Sequence, residues 1–195
     1  MPNTSREHGM KVRDIVLYVL GRCAERPEFG RTSLQKVVYF VGRKLDRDLG
    51  HHAHFYGPFA SSVERETATL VLSKLVEERV QALGFWTSGG FPAKQYEYRL
   101  TELGRARLEE VVTRHAEEVK SIDEVVDGLL EEAGRLDQRV LSAAAKVDYI
   151  AKEERRRVSM EDVRSAARDL GWTISQNQEG EVVGLLSNLG FVEVP

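Results

Sequence analysis

Residues 80–100 contain two strand-like runs, VQALGFW and QYEYRL, joined by TSGGFPAK. Glycines in the joining stretch and the alternation of Tyr96, Tyr98 and Leu100 predict a β-hairpin. The segments before it carry helical spacing. In VRDIVLYVLGRCAE (12–25), Val12, Ile15, Val16, Val19 and Leu20 share one helix face, Gly21 weakens the helix and Pro27 closes it. In TSLQKVVYFVGRKL (32–45), Leu34, Val37, Val38, Val41 and Leu45 form a second apolar face, with Thr32 and Ser33 as expected caps. A third helix is expected from caps at Ser61 and Ser62, with Val63, Leu70, Leu72, Leu75 and Val76 inward.

Three helices, a hairpin and then a helix beginning LTELGRARL follow the order of a winged helix. The stretch YRLTELGRARL resembles the wing-to-helix junction of that class, with Tyr98 and Leu100 under the sheet and Thr101 capping the next helix. The last 45 residues read as a smaller counterpart. Ser159 and Asp162 open a helix that turns Val163, Ala166, Ala167 and Leu170 inward. A second helix through Leu186 and Leu189 ends at Gly190, before a short strand. The expected fold is mainly α with small β-hairpins. A winged-helix-like domain spans 1–115, and 116–195 hold a helical bridge and a degenerate winged-helix-like unit, with the break near 115–135.

The bridge carries the most regular apolar spacing. Val119, Ile122, Val126, Leu129, Ala133, Leu136, Val140, Ala143, Val147 and Ile150 alternate steps of three and four. Such a seam suits a coiled coil, and Ile122, Val126, Leu129, Leu136 and Val140 are its candidate interaction positions in a homodimer. A capping box at Ser121 and Glu124, a stop at Gly134, and the extra apolar Val125, Leu130 and Ala144 favour a bent or two-part helix instead.

Composition limits the chemistry. Residues 1–115 hold 18 Lys+Arg against 14 Asp+Glu, and residues 116–195 hold 10 against 17. Halves of opposite sign suit two surfaces that attract each other, and neither is basic enough to require nucleic acid. There is one cysteine, Cys23, so no intrachain disulfide forms, and it reads as a small buried hydrophobe. No apolar run reaches the roughly 20 residues of a membrane span, and MPNTSREHGMKVRD has no signal-peptide stretch, so no membrane partner and a cytoplasmic location are expected. His51, His52 and His54 are the one metal-like constellation. In an extended loop His52 and His54 share a side while His51 faces away, which does not make a rigid ligand set. No nucleophile elbow, phosphate loop or dinucleotide fingerprint is present. The expectation is a chain with no cofactor, no metal and no catalysis.

One resemblance runs through most of the chain. LQKVVYFV, a polar loop, HFYGPFASSVERE and the YRLTELGRARL junction are similar to YwgA-type proteins of the Panacea, or SocA-like, antitoxin-domain group. Leu34, Gln35, Lys36 and Tyr39 match its leading helix, and Tyr56, Gly57 and Pro58 match its later turn. LSAAAKVDYIAKEE and ARDLGWTIS fit its C-terminal pattern. On this reading Phe55 and Tyr56 seal the core, Gly57 permits a sharp turn and Pro58 stiffens the approach to the third helix, with Tyr56 or His54 available to a partner. The resemblance implies an antitoxin or adaptor that binds a protein, either a toxin or a protease substrate. The alternative is a winged-helix DNA-binding regulator. Its exposed third-helix residues would be Glu64, Arg65, Glu66, Lys74, Glu77, Glu78 and Arg79, a poor set for phosphates. Its candidate contacts are Arg65 with Lys94 and Arg99 of the wing, and Arg155–Arg157 read as a solvated turn.

Overall fold

The computed structural model describes residues 9–23, 26, 29–87, 90, 92–131, 138–154 and 159–191. Among them the protein is mainly helical with one antiparallel hairpin. The order is α1 (Val12–Cys23), α2 (Arg31–Lys44), α3 (Ser61–Leu72), β1 (Val76–Trp86), β2 (Pro92–Leu100), α4 (Glu102–Arg114), α5 (Ala116–Glu131), α6 (Gln138–Glu154), α7 (Met160–Asp169) and α8 (Glu179–Asn188). No helix among the described residues is long and apolar enough to cross a membrane.

α2 is the centre. Every residue from Ser33 to Gly42 is buried, so the helix is enclosed all round although its sequence reads as two-faced. α1, α3, α5 and α6 all pack on it. The apolar face expected of α1 is met, with Ile15, Val16, Val19 and Leu20 fully buried. Tyr98 and Leu100 lie under the hairpin as expected, and the Thr101 hydroxyl accepts a bond from the Gly104 amide at 3.0 Å. Gly104 is required there because the Leu75 carbonyl occupies the space a Cβ would take.

Helix starts and stops differ from the expected ones in informative ways. α2 is capped by Gly30, with Thr32 and Ser33 already inside its first turn. α3 is capped by Ala60, and the Ser62 hydroxyl instead donates to the Leu49 carbonyl at 2.7 Å. α3 also stops early. Lys74 takes a left-handed φ of 59°, and the Leu75 amide reaches back to the Leu70 carbonyl at 3.0 Å, a Schellman-type close. Leu72 is consequently 83% exposed rather than inward, Leu75 is partly buried and Val76 begins β1. Leu170 is likewise exposed. The capping box at Ser159 and Asp162 is formed as read.

The bridge gives two helices, α5 and α6. Ser121 lies inside α5, its hydroxyl turned to the Glu117 carbonyl, so no capping box opens a helix there; Gly134 lies outside the described residues. Among the described residues the apolar seam faces this chain's own core. Ile122, Val126 and Leu129 are at most 2% exposed, Val140 packs partly buried against the same cluster, and Leu136 lies outside the described residues. Ile122, Val126 and Leu129 are therefore intrachain packing, which corrects their reading as a surface seam. The expected division at 115/116 falls between α4 and α5, and one apolar core runs across it. The described C-terminal residues add α7, a short 3₁₀ turn at Gln176–Gln178 and α8, while 192–195, where a strand was expected, lie outside the described residues.

Opposite charges meet across that boundary. Arg22 of α1 bonds Asp123 and, at 2.6 Å, Asp127 of α5. Lys44 reaches Glu124 at 3.0 Å and Arg47 reaches Glu118 at 3.4 Å. Truncating Leu129 to Ala should cost about 2–5 kcal/mol of folding stability, equally at low and high protein concentration. A chemical denaturation midpoint that depends on concentration, and loses that dependence in the variant, would place Leu129 between subunits instead.

Candidate functional site

The residues carrying the resemblance converge on a buried joint between α2 and the loop 51–60. The Gln35 side-chain amide donates to the Ala60 carbonyl at 3.1 Å and accepts from the Ala60 amide at 2.9 Å, acting as a substitute strand neighbour. The next residue of the helix, Lys36, donates its ammonium to the Pro58 carbonyl at 2.7 Å. His52 and Phe59 exchange both backbone bonds at 3.0 Å, closing the loop on itself. Gly57 has φ of 103°, and a Cβ there would meet the Lys36 and Lys146 side chains at 3.2 Å, so both conformation and space call for glycine. The Trp172 indole donates to the His54 carbonyl at 2.6 Å, tying the end of α7 to the same loop.

A second buried polar group lies further along α2. Asp148 of α6 is 1% exposed and accepts from the Tyr39 hydroxyl at 2.6 Å and from the Arg43 guanidinium at 2.7 and 3.1 Å. Tyr149 packs edge-on to Trp172, over whose ring the Lys146 ammonium sits at 5.7 Å. Leu34, Gln35, Lys36, Tyr39, Gly57 and Pro58 are thus drawn inward together. Phe55 and Tyr56 are not. They are 50% and 40% exposed and meet edge-to-face at 4.9 Å on the surface, which corrects their reading as a seal on the core. The Gly57 amide bonds the His54 carbonyl at 2.9 Å, making Phe55 and Tyr56 the two central residues of a turn and pointing them out.

Burial sets the electrostatics. Loss of solvent, with Lys146 nearby, lowers the Lys36 amine to about 7. Burial takes His51 down to about 4, against a hydrogen bond with the Gln35 backbone; its ring lies edge-on to Tyr39 at 5.2 Å. Burial first, then Asp148, raises the Tyr39 hydroxyl. Burial takes the Cys23 thiol up to about 11, which suits a core residue and not a nucleophile. His52 and His54 both face the Phe59 ring, and His51 turns away from them. Among the described residues no three His, Cys, Asp or Glu side chains form a group that could hold a metal.

The positions considered for DNA are dispersed. Arg65 lies on α3 beside Glu66 at 3.6 Å, but Lys74 ends that helix and Glu77, Glu78 and Arg79 belong to β1. Glu78 is held by Arg31 at 3.1 Å, and that guanidinium also covers the Tyr96 ring at 4.0 Å, anchoring the base of the hairpin. Lys94 and Arg99 are an odd number of residues apart on β2 and so face opposite sides of the ribbon. The Arg155–Arg157 turn lies outside the described residues.

Beyond Val76 the hairpin extends largely into solvent. Val80, Leu83, Phe85 and Trp86 are 50%, 41%, 59% and 70% exposed, and among the described residues the two strands pair only with each other. Register is regular from Val76 opposite Leu100 to Ala82 opposite Lys94, then irregular before Trp86 opposite Pro92. No protein-family model matches this chain, and no curated protein matches it.

Sequence reading missed Arg43, Lys146, Asp148 and Trp172 as members of the joint. The available signal was Asp148, one acid in the otherwise apolar-spaced stretch LSAAAKVDYI.

Two outcomes test the joint. Lys36 releases its proton at about 7 when folded and near 10.5 when unfolded, so between those values the unfolded chain binds the extra proton. Unfolding free energy should therefore rise with pH across that window, by at most about 1.4 kcal/mol per unit from this group. Below pH 7 the cost of the buried charge is fully present. Lys36→Met should flatten that rise relative to wild type; identical pH profiles would show that Lys36 does not titrate in the window. Gly57→Val should lower stability by roughly 1–3 kcal/mol through the strained φ, measured as a fall in melting temperature. An unchanged melting temperature would mean the turn is not held as described.

Proposed function

We propose that this chain is a non-catalytic regulator that works by binding another protein, in the manner of an antitoxin or adaptor. The observation that carries the reading is the hairpin. Four large apolar side chains along one strand stay in water, although most apolar side chains of the helices packed on α2 are buried. An exposed apolar ribbon with open edges invites pairing with another chain, so a binding surface is the physical reason for keeping it. Trp86, at 70% exposure, is the residue type most often found as an interface anchor.

The buried polar groups fit the same reading. Lys36 and Asp148 each have protein partners and at most 2% exposure, so the joint serves to hold the loop and the helices rather than to meet a substrate. The exposed pair Phe55 and Tyr56 offers a second aromatic contact point. Resemblance to the SocA-like group, in Gln35, Lys36, Tyr39 and the Tyr56-Gly57-Pro58 turn, supports an antitoxin or adaptor over other kinds of binding protein.

Affinity purification of the full chain from its native cells should retain one polypeptide in stoichiometric amount. Trp86→Ser should weaken that association by roughly 2 kcal/mol, about thirtyfold, while leaving the melting temperature unchanged because the side chain is outside the core. Retention of no protein, together with salt-sensitive binding to one DNA site, would contradict the reading and support a transcription regulator.

A further inference from the structure

A cavity of about 300 Å³ opens where the first turn of α1 meets α3, lined by Lys11, Val12, Arg13, Asp14, Arg65, Glu66 and Arg107. Four of these side chains are cationic and two are acidic, and with Glu110, which bonds Arg107 from beside the lining, the cluster keeps one positive charge in excess. The two acids serve as supports. Glu66 accepts from the Arg13 Nε at 3.1 Å and lies 3.6 Å from the Arg65 Nε. Asp14, only 4% exposed, takes one arm of Arg107 at 3.2 Å, while the other arm bonds Glu110 at 2.7 Å. Three guanidinium groups are thereby held around one opening. Arg13 and Arg65 meet Glu66 through Nε, and both line the opening with half or more of the side chain in solvent. A planar fork of donors matches phosphate oxygens two at a time, and two such side chains at one opening suit an anion with more than one phosphoryl group.

We infer that this cavity is a binding site for a small phosphate-bearing anion of diphosphate type. The ligand's oxygens would be taken by Arg13 and Arg65, with Lys11 adding charge at the rim and Arg107 at the back. The site is separate from the hairpin and does not depend on the protein-binding reading.

Isothermal titration of the full chain with inorganic pyrophosphate at low ionic strength tests it. The expected result is saturable one-to-one binding, tighter than for inorganic phosphate. Lys11→Gln and Arg65→Gln together should weaken it by about tenfold or more without changing the melting temperature of the unliganded protein, since neither side chain supports the core. Absence of saturable binding, or binding that the two substitutions leave intact, would overturn the assignment. So would a short duplex DNA that binds more tightly than pyrophosphate and is lost in the same variants, because the cluster would then be reading a nucleic-acid backbone.

Discussion

The rest of the structure depends on α2 being buried on every side. A helix in that position cannot turn its polar residues to water, so each must find a partner within the protein or carry the full cost of desolvation. Gln35 meets this by pairing with the Ala60 backbone, Lys36 by bonding the Pro58 carbonyl, and Tyr39 and Arg43 by sharing Asp148. The Asp148 contact is the most demanding of these. It places a carboxylate at 1% exposure, and three donor contacts from α2 are what make that placement tolerable.

From this constraint the surface follows. Because Gln35 and Lys36 grip the loop at Ala60 and Pro58, and Trp172 grips it at His54, the chain between must turn outward, and Phe55 and Tyr56 are displayed. Because Arg31 fixes only the base of the hairpin, through Glu78 and Tyr96, the far part of the ribbon is free of the body and exposes Phe85 and Trp86. The polar side chains of α2 are thus committed to partners within the protein, and the large aromatic side chains left in water lie on the loop turn and the hairpin. That division is the basis for proposing that the chain works by binding another protein.

Much of this was legible in the sequence where periodicity or turn chemistry carries the information. The apolar faces of α1 and α2, the hairpin with Tyr98 and Leu100 beneath it, the Thr101 cap and the Ser159 capping box are local signals with local causes. The charge contrast between the two halves also anticipated real contacts, such as Arg22 with Asp123 and Lys44 with Glu124. What the sequence concealed is non-local. An apolar stripe reads the same whether it meets a second copy or its own chain, so Ile122, Val126 and Leu129 did not reveal their internal partner. A polar face on α2 reads as solvated until Asp148, over a hundred residues away, is placed against it. Phe55 and Tyr56 look like core residues by type, and only the left-handed Gly57 turns them out.

Tyr39 and Arg43 of α2 and Asp148 of α6 form one buried polar contact across the two halves of the chain. A double-mutant cycle on Tyr39→Phe and Asp148→Asn tests it directly, with stability measured by urea denaturation. A shared buried, charge-assisted hydrogen bond predicts a coupling of about 1–3 kcal/mol between the two substitutions. Strictly additive losses would contradict the account, because they would mean that Tyr39 and Asp148 do not meet in the folded protein.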